Sequence, residues 1–95
     1  MKFYHGTNKE KWEIAKKRGY LLHDRATEEY PNMSPCTYLA VAKEEAMQYG
    51  EVLLEVEYDP KINPEKNNYY PEGWQVRVYE PIPIASIKIL KTKDQ

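Results

Sequence analysis

The sequence has one cysteine, no long apolar run and no excess of either charge. Cys36 stands alone, which excludes an internal disulfide and a cysteine-rich zinc site and fits a reducing compartment. No apolar run approaches the roughly 18 residues of a membrane span, and the amino terminus lacks the apolar core of a signal peptide. We therefore expect a soluble, cytoplasmic protein with no membrane partner.

The charge balance also excludes a function. Lysine and arginine number 14, aspartate and glutamate number 15, and the net charge is −1. This balance gives no general attraction to phosphate backbones, so nonspecific nucleic-acid binding is disfavoured. The two histidines and the cysteine lie far apart in sequence, so we expect no metal site.

Length and aromatic content indicate one small domain. The 95 residues are 41% apolar, enough for a single core, and we predict one domain over residues 1–95. Nine of the aromatic residues are tyrosines. Because tyrosine rings often line surfaces and clefts where the hydroxyl stays hydrated, this content favours a binding protein or an enzyme.

Residue patterns predict an α+β domain. Two short helices are expected, one from about Asn8 to Arg18 that ends at Gly19, and one from Lys43 to Tyr49 that ends at Gly50. Short strands are expected at Lys2–His5, Thr37–Ala40, Val52–Tyr58, Trp74–Tyr79 and Ser86–Leu90, with a turn at Pro81–Pro83, long loops at 23–36 and 61–73, and a frayed tail at 91–95. Strands of this kind form a small antiparallel split sheet beside the helices.

The segment Tyr4-His5-Gly6-Thr7 places a histidine beside a glycine at a predicted strand-to-helix junction. Glycine admits a close approach of a ligand to the backbone, and the imidazole adds a hydrogen-bonding group. Thr7 followed by Glu10 predicts a capping box at the start of the first helix. Such junctions often carry binding groups, since a rigid strand positions them.

Side chains of the strand predicted at Trp74–Tyr79 alternate between its two faces. Over Trp74–Tyr79, Gln75 and Arg77 share one face, and Val76 and Val78 share the other. The valines are expected to face the core, which leaves Gln75 and Arg77 for the ligand side or for solvent.

Three segments together carry a family resemblance. Tyr4-His5-Gly6-Thr7, Thr37-Tyr38-Leu39-Ala40 and Gln75-Val76-Arg77-Val78 occur in this order, with Pro81-Ile82-Pro83 after them. Together with Ala46 and Tyr49, these segments resemble the ADP-ribosyltransferase superfamily, in its histidine-tyrosine-glutamate branch that includes poly-ADP-ribose polymerases and diphtheria-type toxins. The resemblance spans most of the chain and implies an ADP-ribosyltransferase-like fold that takes NAD as substrate or ligand.

The resemblance also implies roles for particular residues. His5 corresponds to the histidine that binds the adenosine-side ribose, and Gly6 to the glycine whose backbone holds the nicotinamide carboxamide. Thr7 completes that cofactor-binding segment. Tyr38 corresponds to the tyrosine that stacks on the nicotinamide ring, and Tyr49 is expected to add a second aromatic wall.

The family's catalytic glutamate is replaced by Gln75. In the family that carboxylate holds a ribose hydroxyl and stabilises the positive charge that develops on the sugar, and glutamine keeps only the hydrogen bond. Glu72 is the reserve candidate for the missing carboxylate. Some superfamily members, including RNA 2′-phosphotransferases, work without this glutamate and hold a phosphate with basic side chains, a role open to Arg77.

We therefore expect a compact protein that binds NAD or an ADP-ribose-derived nucleotide, with weak or lost transfer of ADP-ribose to a protein or other macromolecular acceptor. One alternative is a non-catalytic module that sequesters or senses a nucleotide, as in small proteins of phages or mobile elements, or that binds a protein. Another is a small toxin-like ribonuclease with His5 and His23 as base and acid and Arg25 or Arg77 on the phosphate. In the nucleotide-binding interpretation, His23 is a solvated loop residue.

Overall fold

Seven strands and two helices make up the computed structural model, which describes residues 1–26 and 28–92. The strands are β1 (Lys2–Thr7), β2 (Tyr20–Leu21), β3 (Thr37–Ala40), β4 (Val52–Glu57), β5 (Gln75–Val78), β6 (Ile82–Pro83) and β7 (Ile87–Thr92). The helices are α1 (Lys9–Arg18) and α2 (Lys43–Ala46), and 3₁₀ turns cover Met47–Tyr49, Pro64–Lys66 and Ile84–Ser86.

Five strands form one antiparallel sheet in the order β5-β3-β1-β4-β7, and β2 pairs with β6 in a second, two-stranded sheet. Because the central strand β1 comes first in the chain, its neighbours arrive from distant parts of the sequence. This arrangement confirms the predicted α+β class with an antiparallel sheet and two short helices.

One face of the large sheet carries the main core. The register pairs Phe3 with Val56 and His5 with Leu54, and directly opposite residues of an antiparallel pair lie on the same face. Helix α1 covers this face with Trp12. The buried residues of the cluster are Phe3, Trp12, Ala15, Leu21, Leu39, Val52, Leu54, Val56, Val76, Val78 and Ile82.

The opposite face carries a smaller cluster under α2. It consists of Ala40, Ala46 and Leu53, with Tyr4 and Met47 packed against them. Gly6 is also on this face, and a Cβ atom built on it would lie 1.9 Å from the carbonyl oxygen of Ala46. Glycine is therefore the residue that lets α2 lie directly on β1.

The start of α1 differs from the prediction. Strand β1 continues through Thr7, which pairs with Val52, so the helix cap is Asn8. The Asn8 side-chain oxygen accepts the Lys11 N–H at 2.8 Å. The predicted capping box of Thr7 and Glu10 is wrong, because the Thr7 side chain is buried in the sheet. The predicted stop at Gly19 is confirmed, with φ of 89°.

Several other boundaries also shift. Ile82 and Pro83 pair with β2, so the turn predicted there is wrong. The last strand is Ile87–Thr92, so Lys91 and Thr92 are not part of a frayed tail, and residues 93–95 of that prediction lie outside the described residues. Strand β4 ends one residue earlier than predicted, and β5 is one residue shorter than predicted at each end. Within the described chain, neither helix is long and apolar enough to cross a membrane.

The loop at 61–73 is fixed by a polar network around Tyr58. The Tyr58 hydroxyl donates to the Glu80 carboxylate at 2.7 Å, and the Asn67 amide donates to the Tyr58 oxygen at 3.2 Å. Burial and then the neighbouring Glu80 raise the pKa of Tyr58 to about 12. The network joins the loop to the strands on either side of it.

Replacement of Gly6 tests the close packing of α2 on β1. We expect Gly6→Ala to lower the free energy of unfolding by about 1–3 kcal/mol, the usual cost of overpacking, and to move the amide resonances of α2. Gly19→Ala is the control, since nothing lies within 4 Å of its added Cβ and only the positive φ opposes it. That control should cost about 1–2 kcal/mol and leave the α2 resonances in place. An unchanged α2 in Gly6→Ala, measured by NMR, would contradict the packing.

Candidate functional site

The large sheet opens between β1 and β3. Strand β1 pairs with β4 at six positions and β3 pairs with β5 at four, whereas β1 pairs with β3 only at Tyr4 and Ala40. In a continued ladder, Gly6 would lie opposite Tyr38. Instead the strands separate after one residue pair, and the gap is the start of a cavity.

The backbone of Gly6 faces this gap. The Tyr58 N–H donates to the Met1 carbonyl at 3.0 Å, which continues the β1–β4 register and directs the backbone groups of Met1 towards β4. Because these directions alternate along an antiparallel strand, the N–H and C=O of Gly6 point the other way, towards β3. Gly6 thus presents one donor and one acceptor to the cavity.

The backbone of Tyr38 faces the same gap. The Val41 N–H donates to the Trp74 carbonyl at 2.9 Å, so alternation directs the Tyr38 groups towards β1. The Tyr38 carbonyl accepts a hydrogen bond from Nδ1 of His5 at 2.7 Å. The imidazole thereby replaces the ladder bond that the separated strands no longer make.

His5 and His23 are joined in a directional chain. Since the Tyr38 carbonyl can only accept, Nδ1 of His5 carries the proton and Nε2 of the neutral ring is an acceptor. Nε2 of His5 lies 2.8 Å from Nε2 of His23. His23 must therefore donate from Nε2, which leaves its Nδ1 without a proton. Both nitrogens of His5 are occupied within the protein.

Burial keeps the histidine pair neutral. His5 is 7% exposed, and burial lowers the pKa of its imidazole to about 4. The hydrogen bond to Tyr38 acts in the opposite direction, while His23 and Lys11 lower the pKa further. Burial likewise lowers the pKa of His23, helped by Lys11 and Arg18. At neutral pH the pair is uncharged.

Aromatic side chains form much of the cavity wall. The cavity has a volume of about 530 Å³, within the range typical of small-molecule sites. Tyr38, Tyr49 and Trp74 line it and remain 39%, 59% and 53% exposed. Such exposure leaves ring surface available for stacking.

Arg25 ties the loop at 23–36 to the cavity wall. Its guanidinium donates to the Tyr38 hydroxyl at 3.0 Å and to the Ser34 carbonyl at 2.9 Å, and it lies 5.9 Å from the ring centroids of Tyr38 and Tyr79. The loop is also closed at its base, where the Cys36 N–H donates to the His23 carbonyl at 3.0 Å. Burial raises the pKa of the Cys36 thiol, which Arg25 partly offsets.

Most of the residues singled out in the sequence meet at this cavity. The lining includes His5, Gly6, Thr7, Tyr38, Tyr49 and Gln75. Gln75 reaches it because it pairs with Ala40, at the point where β3 meets β1. Arg77 shares the Gln75 face but lies outside the lining, as does Glu72 in its exposed turn.

Several lining residues had no role in the predicted nucleotide site, among them Lys11, His23, Asp24 and Trp74. Lys11 lies on α1, for which the sequence predicted only the bounds and the caps. His23 was interpreted as solvated, yet it contacts His5. The one available signal was that a long loop in a small domain is often functional.

The part of the chain that the structure describes contains no group of three or more His, Cys, Asp or Glu side chains placed to bind a metal ion. Comparisons with family models, curated proteins and solved structures found no match.

The buried histidine predicts a pH-dependent stability. The unfolded chain takes up a proton at His5 near its ordinary pKa of 6.5, whereas the folded chain does so only near 4. The contribution of His5 to the free energy of unfolding should therefore fall by up to about 3 kcal/mol as the pH drops from 6.5 to 4, and level off below that window. His23 adds to the loss in the same direction.

Urea unfolding across this window measures the effect. His5→Gln is the control, because glutamine cannot protonate while the carboxylates that titrate nearby are the same in both proteins. The parent should lose more stability than the variant on acidification. Equal losses would show that His5 is not held neutral in the fold.

Proposed function

We propose that the chain binds NAD or an ADP-ribose-derived nucleotide in the cavity between β1 and β3, with an ADP-ribosyltransferase-like fold. The observation that carries the proposal is the separation of the two strands after Tyr4 and Ala40, which leaves the Gly6 backbone facing a cavity. A carboxamide has one acceptor oxygen and donor N–H groups, the complement of one backbone N–H and C=O. The resemblance assigns that role to the same glycine.

The aromatic walls suit a planar ligand group. Tyr38 lies on the Gly6 face of the sheet, because it is two residues from Ala40, which pairs with Tyr4, and Tyr4 is two residues from Gly6. The Cβ atom of Tyr49 would lie 3.3 Å from a Cβ atom on Gly6. A nicotinamide held by Gly6 would therefore lie beside both tyrosines, where stacking fixes its orientation.

Our proposal gives His5 a different role from the one that the family resemblance implies. Both of its nitrogens are hydrogen-bonded within the protein, to the Tyr38 carbonyl and to His23, so a ribose hydroxyl reaches His5 only by displacing His23. We assign His5 to holding the opening and Gln75 to a ribose hydroxyl.

The charge distribution favours binding over efficient catalysis. Of the described residues that line the cavity, Asp24 is the only one with a carboxylate, and its Oδ1 already accepts the Ala26 N–H at 2.9 Å. Cleavage of NAD breaks the glycosidic bond to nicotinamide while water or an acceptor adds to the ribose. Without a carboxylate beside the sugar, the positive charge of that transition state is poorly stabilised.

The geometry is less suited to a ribonuclease. A general base and a general acid act on opposite sides of the scissile phosphate, but the two Nε2 atoms of His5 and His23 lie 2.8 Å apart. No phosphate fits between them. Arg77, one of the phosphate ligands considered for that activity, lies outside the cavity lining.

Replacement of Tyr38 tests the stacking surface. Stacking of a base on an aromatic side chain is worth about 1–3 kcal/mol by alanine substitution, so Tyr38→Ala should raise the Kd for NAD and ADP-ribose by roughly 5- to 150-fold. Tyr38→Phe keeps the ring and should bind within about threefold of the parent. Calorimetric titration measures both. If Tyr38→Ala binds as tightly as the parent, the ligand does not stack there.

Introducing a carboxylate at Gln75 tests whether its absence limits turnover. Gln75→Glu should raise nicotinamide release from NAD by about 10²- to 10³-fold if one electrostatic partner is missing. Gln48→Glu makes the same chemical change on an exposed residue outside the cavity and should release nicotinamide at the parental rate. Chromatography of the released nicotinamide gives the rates. No gain in Gln75→Glu with NAD binding intact would mean that more than the charge departs from the family.

A further inference from the structure

One end of the cavity contains a buried hydroxyl that forms no hydrogen bond. Thr7 is 3% exposed and lines the cavity, and its Oγ1 has no partner in the described structure. Leaving such a group unsatisfied costs about 1–3 kcal/mol, so buried hydroxyls almost always have a partner. The register places Thr7 on the same face as His5, two residues away.

A lysine without an ion-pair partner lies at the same end. Lys11 lines the cavity, and no ion pair is recorded for it within residues 1–26 and 28–92. It lines the same cavity as His5 and His23, and its charge lowers the pKa of both. An ammonium that lines a cavity together with neutral imidazoles attracts an anion.

The first-turn amides of α1 offer few free hydrogen-bond donors at this end of the cavity. The Lys9 N–H donates to Glu51 at 3.0 Å, and the Lys11 N–H donates to the side chain of Asn8. The donors available to a ligand are therefore the Thr7 hydroxyl and the Lys11 ammonium. His23 lines the same end, and its carbonyl is used to close the loop.

We infer that Thr7 and Lys11 form a subsite for a phosphate of the bound nucleotide, with His23 beside it. This inference rests on the proposed function and deepens it, because it selects nucleotides over nucleosides. Thr7 follows Gly6 directly in β1, so the subsite would take the phosphate nearest to the group held at Gly6. In NAD that is the phosphate of the nicotinamide mononucleotide half.

A ligand pair that differs by one phosphate tests the inference. We expect nicotinamide mononucleotide to bind the parent protein about tenfold more tightly than nicotinamide riboside, the effect of one charge-assisted hydrogen bond. Lys11→Ala should remove most of that advantage and leave riboside binding unchanged. Lys17→Ala, an exposed lysine of the same helix outside the cavity, is the control and should keep the advantage.

Thr7→Val separates a ligand role from a structural one. Valine has nearly the shape of threonine and lacks the hydroxyl, so removing an unpartnered polar atom should leave the melting temperature unchanged or higher. Binding of the mononucleotide should nevertheless weaken about threefold, since one donor is lost. A lower melting temperature with unchanged binding would overturn the assignment of Thr7.

The outcomes separate this inference from the proposed function. If mononucleotide and riboside bind equally and Lys11→Ala changes neither, the subsite is wrong while nucleotide binding stands. If neither compound nor NAD binds, the proposed function fails, and pyrophosphate then tests the subsite alone. Shifts of the His23 ring resonances on adding pyrophosphate to the parent, lost in Lys11→Ala, would support the subsite, and no shift would overturn it.

Discussion

The hydrogen bond from His5 to the Tyr38 carbonyl is the interaction on which the site depends. When β1 and β3 separate, the Tyr38 carbonyl loses the partner that a continuous ladder would give it, and an unsatisfied buried carbonyl would favour closing the gap. The imidazole supplies the missing donor at 2.7 Å. The other nitrogen of the same ring is hydrogen-bonded to His23 at 2.8 Å. The bond from Nδ1 therefore gives the Tyr38 carbonyl a partner within the protein at the point where the strands separate.

Helix α2 acts on the same opening from the other face. Its Ala46 carbonyl lies where a Gly6 side chain would be, so the helix covers the α-carbon of Gly6 while the backbone N–H and C=O point along the sheet. The closely packed helix and the exposed peptide groups are compatible because these directions are perpendicular. Glycine permits the close approach of the helix, and the strand separation leaves the glycine's peptide groups facing the cavity.

Local pattern was sufficient for much of the fold. Alternation in β5 separated Val76 and Val78 from Gln75, and glycine marked the end of α1, because these features depend on neighbouring residues alone. The contact of His23 with His5 and the pairing of Ile82 with Leu21 depend on where the chain returns from a distance. A single sequence carries no local signal for either. Thr7 shows a third case, where two local rules compete: its sheet pairing prevailed over its preference for a helix cap.

The single residue pair between β1 and β3 also divides the sheet into two parts. On one side lies the ribbon β5-β3, and on the other lies β1-β4-β7, and the two are joined in the plane by Tyr4 and Ala40 and by one imidazole. Above and below that plane the two parts are held by the core, where Leu39 and Val76 of the ribbon pack in one cluster with Phe3. Tyr38 and Gln75 belong to the ribbon, and Gly6 belongs to the other part. A molecule bound across the cavity would therefore add in-plane contacts where the sheet itself has the fewest.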